Sequence, residues 1–506
     1  MGPVATVSLG RLEGAEEGGV QVFRGVPYAQ PPVGPLRWRP PRPPMPWPRL
    51  REATAFGPIA PQTISPGQLA RSGGRMEEDC LYLNVWTPTA CAGRRPILVF
   101  VHGGGMMSGS GSSPLLNGAR LAGRGDLVVV TLNYRLGPLG VLHAPQALGE
   151  VAGETTANLA LQDMMAALAF IRREAEAFGG DPRNITVAAQ SSGAVAVASL
   201  MASPAARGLF DKAILQSGGL ERVIAPEDAS QVACAFLAAL GENSPDALRA
   251  LPLEAVTAAH ATSIQARVAP PRGEFHPFVD GLVVAEHPVA AALAGRTAPI
   301  PLLAGATSHE WRTFDAGLGD EAFEAPLLAD RIKALLGEGV SPDAVLDLYQ
   351  SEQAAPVSSQ GRRAIGSQLV GDLHFNAPTE LFARGHAAAG HPAFHYDLTW
   401  ESPTPGLGAC HNICLPLVFG TVEGAAKLSG ADADALAMSQ RLQDAWAAFA
   451  RSGDPSTAAT GAWPRYAPNE RLTLRIGRDA EIVSRHREAQ LALWTSAYPW
   501  LGEQGL

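Results

Sequence analysis

Residues 185–197 read ITVAAQSSGAVAV, an apolar run interrupted by two serines and a glycine. Just upstream, LALQDMMAALAFIRREAEAFGGD (159–181) sets Leu161, Met164, Met165, Leu168 and Ile171 at helical spacing and closes on Gly179 and Gly180. An amphipathic helix therefore feeds a buried strand, which turns into a second buried helix at the serines. Short apolar runs recur in RPILVFVHGGG (95–105), DLVVVTLNYRLG (126–137), KAILQSGG (212–219), APIPLLAGAT (298–307) and AFHYDLTW (393–400). Strands alternating with helices predict an α/β fold whose central sheet is mostly parallel and flanked by helices on both faces. In such sheets sites gather at the carboxyl ends of the strands.

Alanine-rich helical insertions are expected near 226–260 and 320–390, and LQDAWAAFARSGDP from Leu442 reads as a late helix with Leu442, Trp446 and Phe449 on one face. No internal repeat or linker divides the chain, so residues 1–506 read as one large domain with insertions.

Composition narrows the function classes. The chain has 506 residues, 46% of them hydrophobic, and a net charge of −9 without a lysine-arginine cluster. It can bury a large core and offers no electrostatic footprint for nucleic acid or an anionic membrane. Lysine occurs only at Lys212, Lys333 and Lys427 amid abundant arginine and alanine, the coding bias of a GC-rich genome. The N-terminal stretch lacks the basic and apolar regions of a secretory signal, and no apolar run is long enough to span a bilayer, so a cytoplasmic location is expected. Cys80, Cys91, Cys234, Cys410 and Cys414 have no metal-ligand spacing and are expected to be reduced. No cofactor or metal is expected, the partner is a small molecule, and the oligomeric state is left open.

The two serines are told apart by their neighbours. A sharp strand-to-helix turn that presents a nucleophile has small residues two before and two after the serine. Around Ser191 these are Ala189 and Gly193; around Ser192 they are Gln190 and Ala194, and glutamine is too large. Ser191 is the candidate, although by itself the segment also fits a plain polar turn. VHGGG (101–105) adds a glycine-rich loop after a buried strand, where backbone N–H groups can face a developing oxyanion. Gly104, Gly105 and Ser192 are assigned as the donors, all through their backbone N–H groups, with the Ser192 hydroxyl incidental.

With these segments on the page, the chain resembles the type-B carboxylesterases, the α/β-hydrolase family that includes cholinesterases and bacterial p-nitrobenzyl-type esterases. The similarity runs through FRGVPYAQPPVGPLRWRPP (23–41), EEDCLYLNVWTP (77–88), NYRLGPLG (133–140), FGGDPRNITVAAQSSG (178–193), GATSHEWR (305–312) and HNICLPLVFG (411–420). The resemblance implies an α/β-hydrolase fold and a triad of Ser191, Glu310 and His411 in the chain order of that fold. It implies a serine esterase that works through an acyl-enzyme, with amide, carbamate or specialised ester hydrolysis as alternatives. A non-catalytic binding protein of the cholinesterase type is opposed by the complete candidate triad. His309, next to the acid, reads as structural or solvated; Asp280, Asp372 and Asp397 are weaker candidates for the acid.

The chain also departs from the family pattern. Ala189 stands for a glycine, Gln190 for a glutamate, Ser192 for an alanine, and Cys414 for an acidic residue after the histidine. Gln190 removes a buried charge, so nearby groups need another arrangement. Ala60 occupies the position of the partner of Cys80 in the family's disulfide, and a Cys80–Cys91 bridge is disfavoured in a reducing compartment. Residues 61–79 contain no aromatic side chain to hold a quaternary ammonium, which argues against choline esters. Met106, Met107, Leu220 and Phe375 are candidates for an apolar pocket wall, with ordinary core filling an equal alternative for the methionines.

Overall fold

A computed structural model of the chain describes residues 2–63, 74–91, 93–149, 153–265, 274–337, 339–350, 359–495 and 498. Its first strands are β1 (Val4–Val7), β2 (Gly10–Glu13), β3 (Ala15–Glu17), β4 (Val20–Pro27), β5 (Arg51–Glu52), β6 (Tyr82–Thr87) and β7 (Arg95–Val101). There follow β8 (Val128–Leu132), β9 (Gly180–Gln190), β10 (Lys212–Gln216), β11 (Leu302–Thr307), β12 (Ala393–Leu398), β13 (Thr473–Ile476) and β14 (Ala480–Val483). β1, β2 and β5 form a small sheet; the rest form one of eleven strands in the order β14-β13-β12-β11-β10-β9-β7-β8-β6-β4-β3. The run from β8 to β13 is parallel, and both flanks are antiparallel.

The apolar runs behave as their composition requires. Along β7, Ile97, Val99 and Val101 join the core beneath helix Leu159–Glu174, through its Leu161, Met164 and Leu168. Leu98 and Phe100 point the other way, into a core shared with Leu442, Trp446 and Phe449. A strand buried on both faces needs apolar residues at every position, which is why these runs do not alternate with polar residues. Helix Ser192–Ala202 is buried at all of its positions, in keeping with its mostly apolar sequence, in which Ser192 and Ser199 are the polar residues.

From β7 the chain passes to β8 on one side, and β9 then lies on the other side of β7. The gap between the carboxyl ends of β7 and β9 is thus the point where the strand order reverses, the place where parallel sheets open a crevice.

Helix Ala433–Ser452 begins nine residues before Leu442; Asp432 caps it by accepting the Ala435 N–H at 2.8 Å. Between 226 and 260 the chain is helical, in Pro226–Leu240, Pro245–Ala250 and the start of Leu253–Gln265. Within 320–390, residues 338 and 351–358 lie outside the described residues, as do 64–73 of the loop at 61–79. The last helix of that segment, Ala377–Ala388, packs against β11 and β12 and so belongs to the central layers of the fold. Among the described residues no helix is long and apolar enough to cross a membrane.

Candidate active site

Ser191 stands where β9 gives way to helix Ser192–Ala202, with φ 56° and ψ −131°. A serine held at positive φ costs about 1–3 kcal/mol, and the turn lifts its side chain clear of both elements. A Cβ on Gly193 would lie 2.5 Å from the carbonyl oxygens of Val101 and His102, so only glycine lets the helix start this close to β7. Ala189 is wholly buried and pairs with Val101 and Leu215 in the adjoining strands, where its one methyl is accommodated. The Ser191 N–H donates to the Gln216 carbonyl at 2.9 Å, so the end of β10 also holds the turn.

The glycine loop lies directly against this turn. A Cβ on Gly103 would come 2.7 Å from the Ser191 Cβ. Gly104 and Gly105 both take positive φ, 117° and 67°; a Cβ on Gly104 would run into the Ser108 carbonyl, whereas one on Gly105 would meet open space. The Ser192 hydroxyl is not incidental: it accepts the Met106 N–H at 3.1 Å and is hydrogen-bonded to Tyr134, pinning the loop from below. The Tyr134 hydroxyl in turn donates to the His102 carbonyl at 2.8 Å, and burial holds the phenol well above its ordinary range.

Glu310 lies just past β11 and His411 in the loop before helix Cys414–Phe419. Phe419 meets Phe100 of β7 edge to face at 4.9 Å, which carries the histidine loop to the same end of the sheet as Ser191. The Glu310 side chain is fully buried; its Oε1 accepts the Thr307 N–H at 2.7 Å and its Oε2 lies 2.5 Å from His411 Nδ1. Phe375 and the half-exposed Phe314 flank the imidazole at ring distances of 4.7 and 5.3 Å. At the outer nitrogen the arrangement departs from a closed triad. Gln190 Nε2 lies 3.0 Å from His411 Nε2, and among the described residues no protein group hydrogen-bonds the Ser191 hydroxyl. The gap left by the missing carboxylate is thus filled by an amide on the histidine.

The other candidates are occupied elsewhere. Asp280 accepts the N–H groups of Leu282, Val283 and Val284. Asp372 accepts from Tyr349 and Asn376. Asp397 accepts from Ser308 and pairs with His486. Burial opposes ionisation of Asp397, but the His486 hydrogen bond and the Arg487 charge outweigh it and hold its carboxyl well below the ordinary range. His309 is structural: its Nδ1 accepts the Ala409 N–H at 3.0 Å, and burial, then the Arg312 and Arg487 charges, push it down to about 3. Cys414 is buried, its thiol pushed up to about 12 by burial and then by the Glu310 charge. Cys80 is buried and Cys91 exposed, and they do not pair. Met106 and Leu220 are core residues, whereas Phe375 does border the histidine. Gln216, the Thr307 amide and Phe314 belong to the site without having been singled out, since each acts through its backbone or through a ring that no local pattern marks.

Comparison with known proteins identifies the family. The model of the carboxylesterase family matches residues 1–494. The para-nitrobenzyl esterase of Bacillus subtilis is 37% identical over 492 residues, 95% of each chain. Phenmedipham hydrolase of Pseudarthrobacter oxydans is 34% identical, covering 96% of this chain and 97% of its own. The crystal structure of a Geobacillus stearothermophilus carboxylesterase superposes with a TM-score of 0.86 at 34% identity, covering 97% of this chain and 99% of the other.

Proposed function

The chain belongs to the carboxylesterase family and is a carboxylic-ester hydrolase, and we propose that Ser191, His411 and Glu310 carry out the hydrolysis. The Ser191 oxygen attacks the ester carbonyl carbon while its proton passes to His411 Nε2. Negative charge moves to the former carbonyl oxygen, which the backbone N–H groups of Gly104, Gly105 and Ser192 receive. Collapse of the tetrahedral intermediate breaks the bond to the alcohol, which takes the proton from His411 and leaves an acyl-Ser191. Water then repeats the attack through the same histidine and releases the acid. Glu310 keeps the Nδ1 proton in place and stabilises the imidazolium. The observation that carries this reading is the buried Glu310 Oε2 to His411 Nδ1 contact of 2.5 Å beside a strained serine turn.

Phe314, Phe375 and Trp311, with Trp311 4.7 Å from Phe314, favour esters bearing an apolar or aromatic group. A cytoplasmic bacterial enzyme is favoured by five unpaired cysteines, the usual state in a reducing compartment, and by the bacterial relatives.

The test is hydrolysis of p-nitrophenyl acetate and butyrate by wild-type protein, Ser191→Ala and Ser192→Ala, each checked for folding. Ser191→Ala is expected to lower kcat about 10⁴-fold or more. Ser192→Ala keeps the reacting groups and is expected to lose less than about tenfold, the worth of one hydrogen bond. Substantial activity in Ser191→Ala overturns the assignment.

A further inference from the structure

The lone pair that has to receive the Ser191 proton is already engaged. A carboxylate can only accept, so the 2.5 Å contact with Glu310 puts the imidazole proton on Nδ1 and leaves a bare lone pair on Nε2. The group 3.0 Å from that nitrogen is the Gln190 side-chain amide, and only its NH2 end can donate there. The amide has little freedom: Gln190 is 1% exposed, and a Cβ on Gly103 would lie 2.8 Å from Gln190 Oε1. It is held between the glycine loop on one side and His411 on the other, on the residue preceding the nucleophile.

We propose that Gln190 is a positioning residue that caps His411 Nε2 in the ester-free enzyme and yields the nitrogen to the Ser191 hydroxyl when substrate enters. This rests on the triad reading above. The cap holds the imidazole aligned while Ser191 is idle, and lowers the reactivity of the site. Its sign follows from chemistry. A carboxylate introduced at the same place would accept from the imidazolium and favour that form, which an amide N–H cannot do.

Few other charges compete for the ring. Glu310 is its charged contact; the Cys410 and Cys414 thiols on the histidine loop are held uncharged by burial. Beyond the flanking Phe314 and Phe375 stands His374, paired with Glu221. Arg312 lies behind the loop near Glu401 and Cys410, and the Tyr396 phenol, within β12 and near Glu310, is held protonated by burial.

Two variants and two measurements test the cap. The pH profile of kcat/KM for p-nitrophenyl butyrate is compared between wild type and Gln190→Glu; the acid-side inflection is expected to move up by about 1–3 pH units. Gln190→Met keeps the length and loses the donor. Its Ser191 is expected to be phosphonylated about 2- to 10-fold faster by a fluorophosphonate, Oγ displacing fluoride as His411 takes the proton, a gain equal to one released hydrogen bond. An unmoved inflection in Gln190→Glu together with an unchanged or slower Gln190→Met overturns the cap. Ser191→Ala in the same assays separates the two ideas: if it is inactive and the Gln190 variants behave as wild type, the cap alone fails; if it stays active, the triad reading fails first.

Discussion

Gly103 and Gly105 sit in one loop but exclude side chains for different reasons. At Gly103 the obstacle is contact, because a methyl group would be driven into Ser191 and the Gln190 carbonyl, 2.7 and 2.8 Å away. At Gly105 nothing stands within 4 Å, and only the φ of 67° resists substitution. Gly103→Ala is therefore expected to displace the oxyanion donors from the nucleophile and to lower kcat/KM about 100-fold or more. Gly105→Ala should instead fold with a stability loss of about 1–2 kcal/mol, read as a lower urea midpoint. Equal effects of the two changes on kcat/KM would contradict this division. The steric logic of the turn was legible in the sequence, since it depends on the size of the adjacent Ala189 and Gly193. The Gln190 contact was not, because it joins residues 221 positions apart and depends on which side chain reaches Nε2 first.

At the scale of elements, helix Leu159–Glu174 is tied to the end of β8 by a buried ion pair. Arg135 donates to Asp163 at 2.7 and 2.8 Å, and the two side chains are 3% and 0% exposed. The Arg135 N–H adds a third bond at 3.1 Å, so the aspartate fixes backbone as well as side chain. Burial disfavours the Arg135 charge, yet the Asp163 charge and hydrogen bonds raise it above its ordinary range. Asp163→Asn leaves the guanidinium buried without a counter-charge and is expected to cost about 3–5 kcal/mol, measured by denaturant unfolding. A loss under about 1 kcal/mol would mean that the pair is not what docks the helix. The periodicity read from the sequence found this helix but set Met165 on its inner face, where it is only partly buried, and passed over the wholly buried Asp163. Apolar periodicity is blind to a charge whose partner lies on another element. It is equally blind to strands of two to four residues such as β1, β3 and β5, whose pairing is set by neighbours in the sheet.

Across the whole molecule, many of the histidines are buried or largely so. Burial pushes His102, His260, His287 and His386 down to about 4, and His309 and His395 down to about 3. In the unfolded chain each regains an ordinary imidazole near 6.5, so between about pH 6.5 and 4 the unfolded state binds more protons than the folded one. The folded-state values are depressed, hence stability is fully present above pH 6.5 and is lost as the pH falls toward 4. Each of these histidines removes about 1.4 kcal/mol per pH unit within that window. A few acting together consume a stability of 5–15 kcal/mol within two pH units. Carboxylates such as Asp397 add to the loss only at lower pH, below the ordinary range of an aspartate. Urea midpoints measured at pH 7.5, 6.5, 5.5 and 4.5 are therefore expected to hold steady over the first interval and then fall steeply, before the carboxylates titrate. A midpoint unchanged down to pH 4.5 would show that these histidines accept protons in the folded state as readily as in the unfolded one.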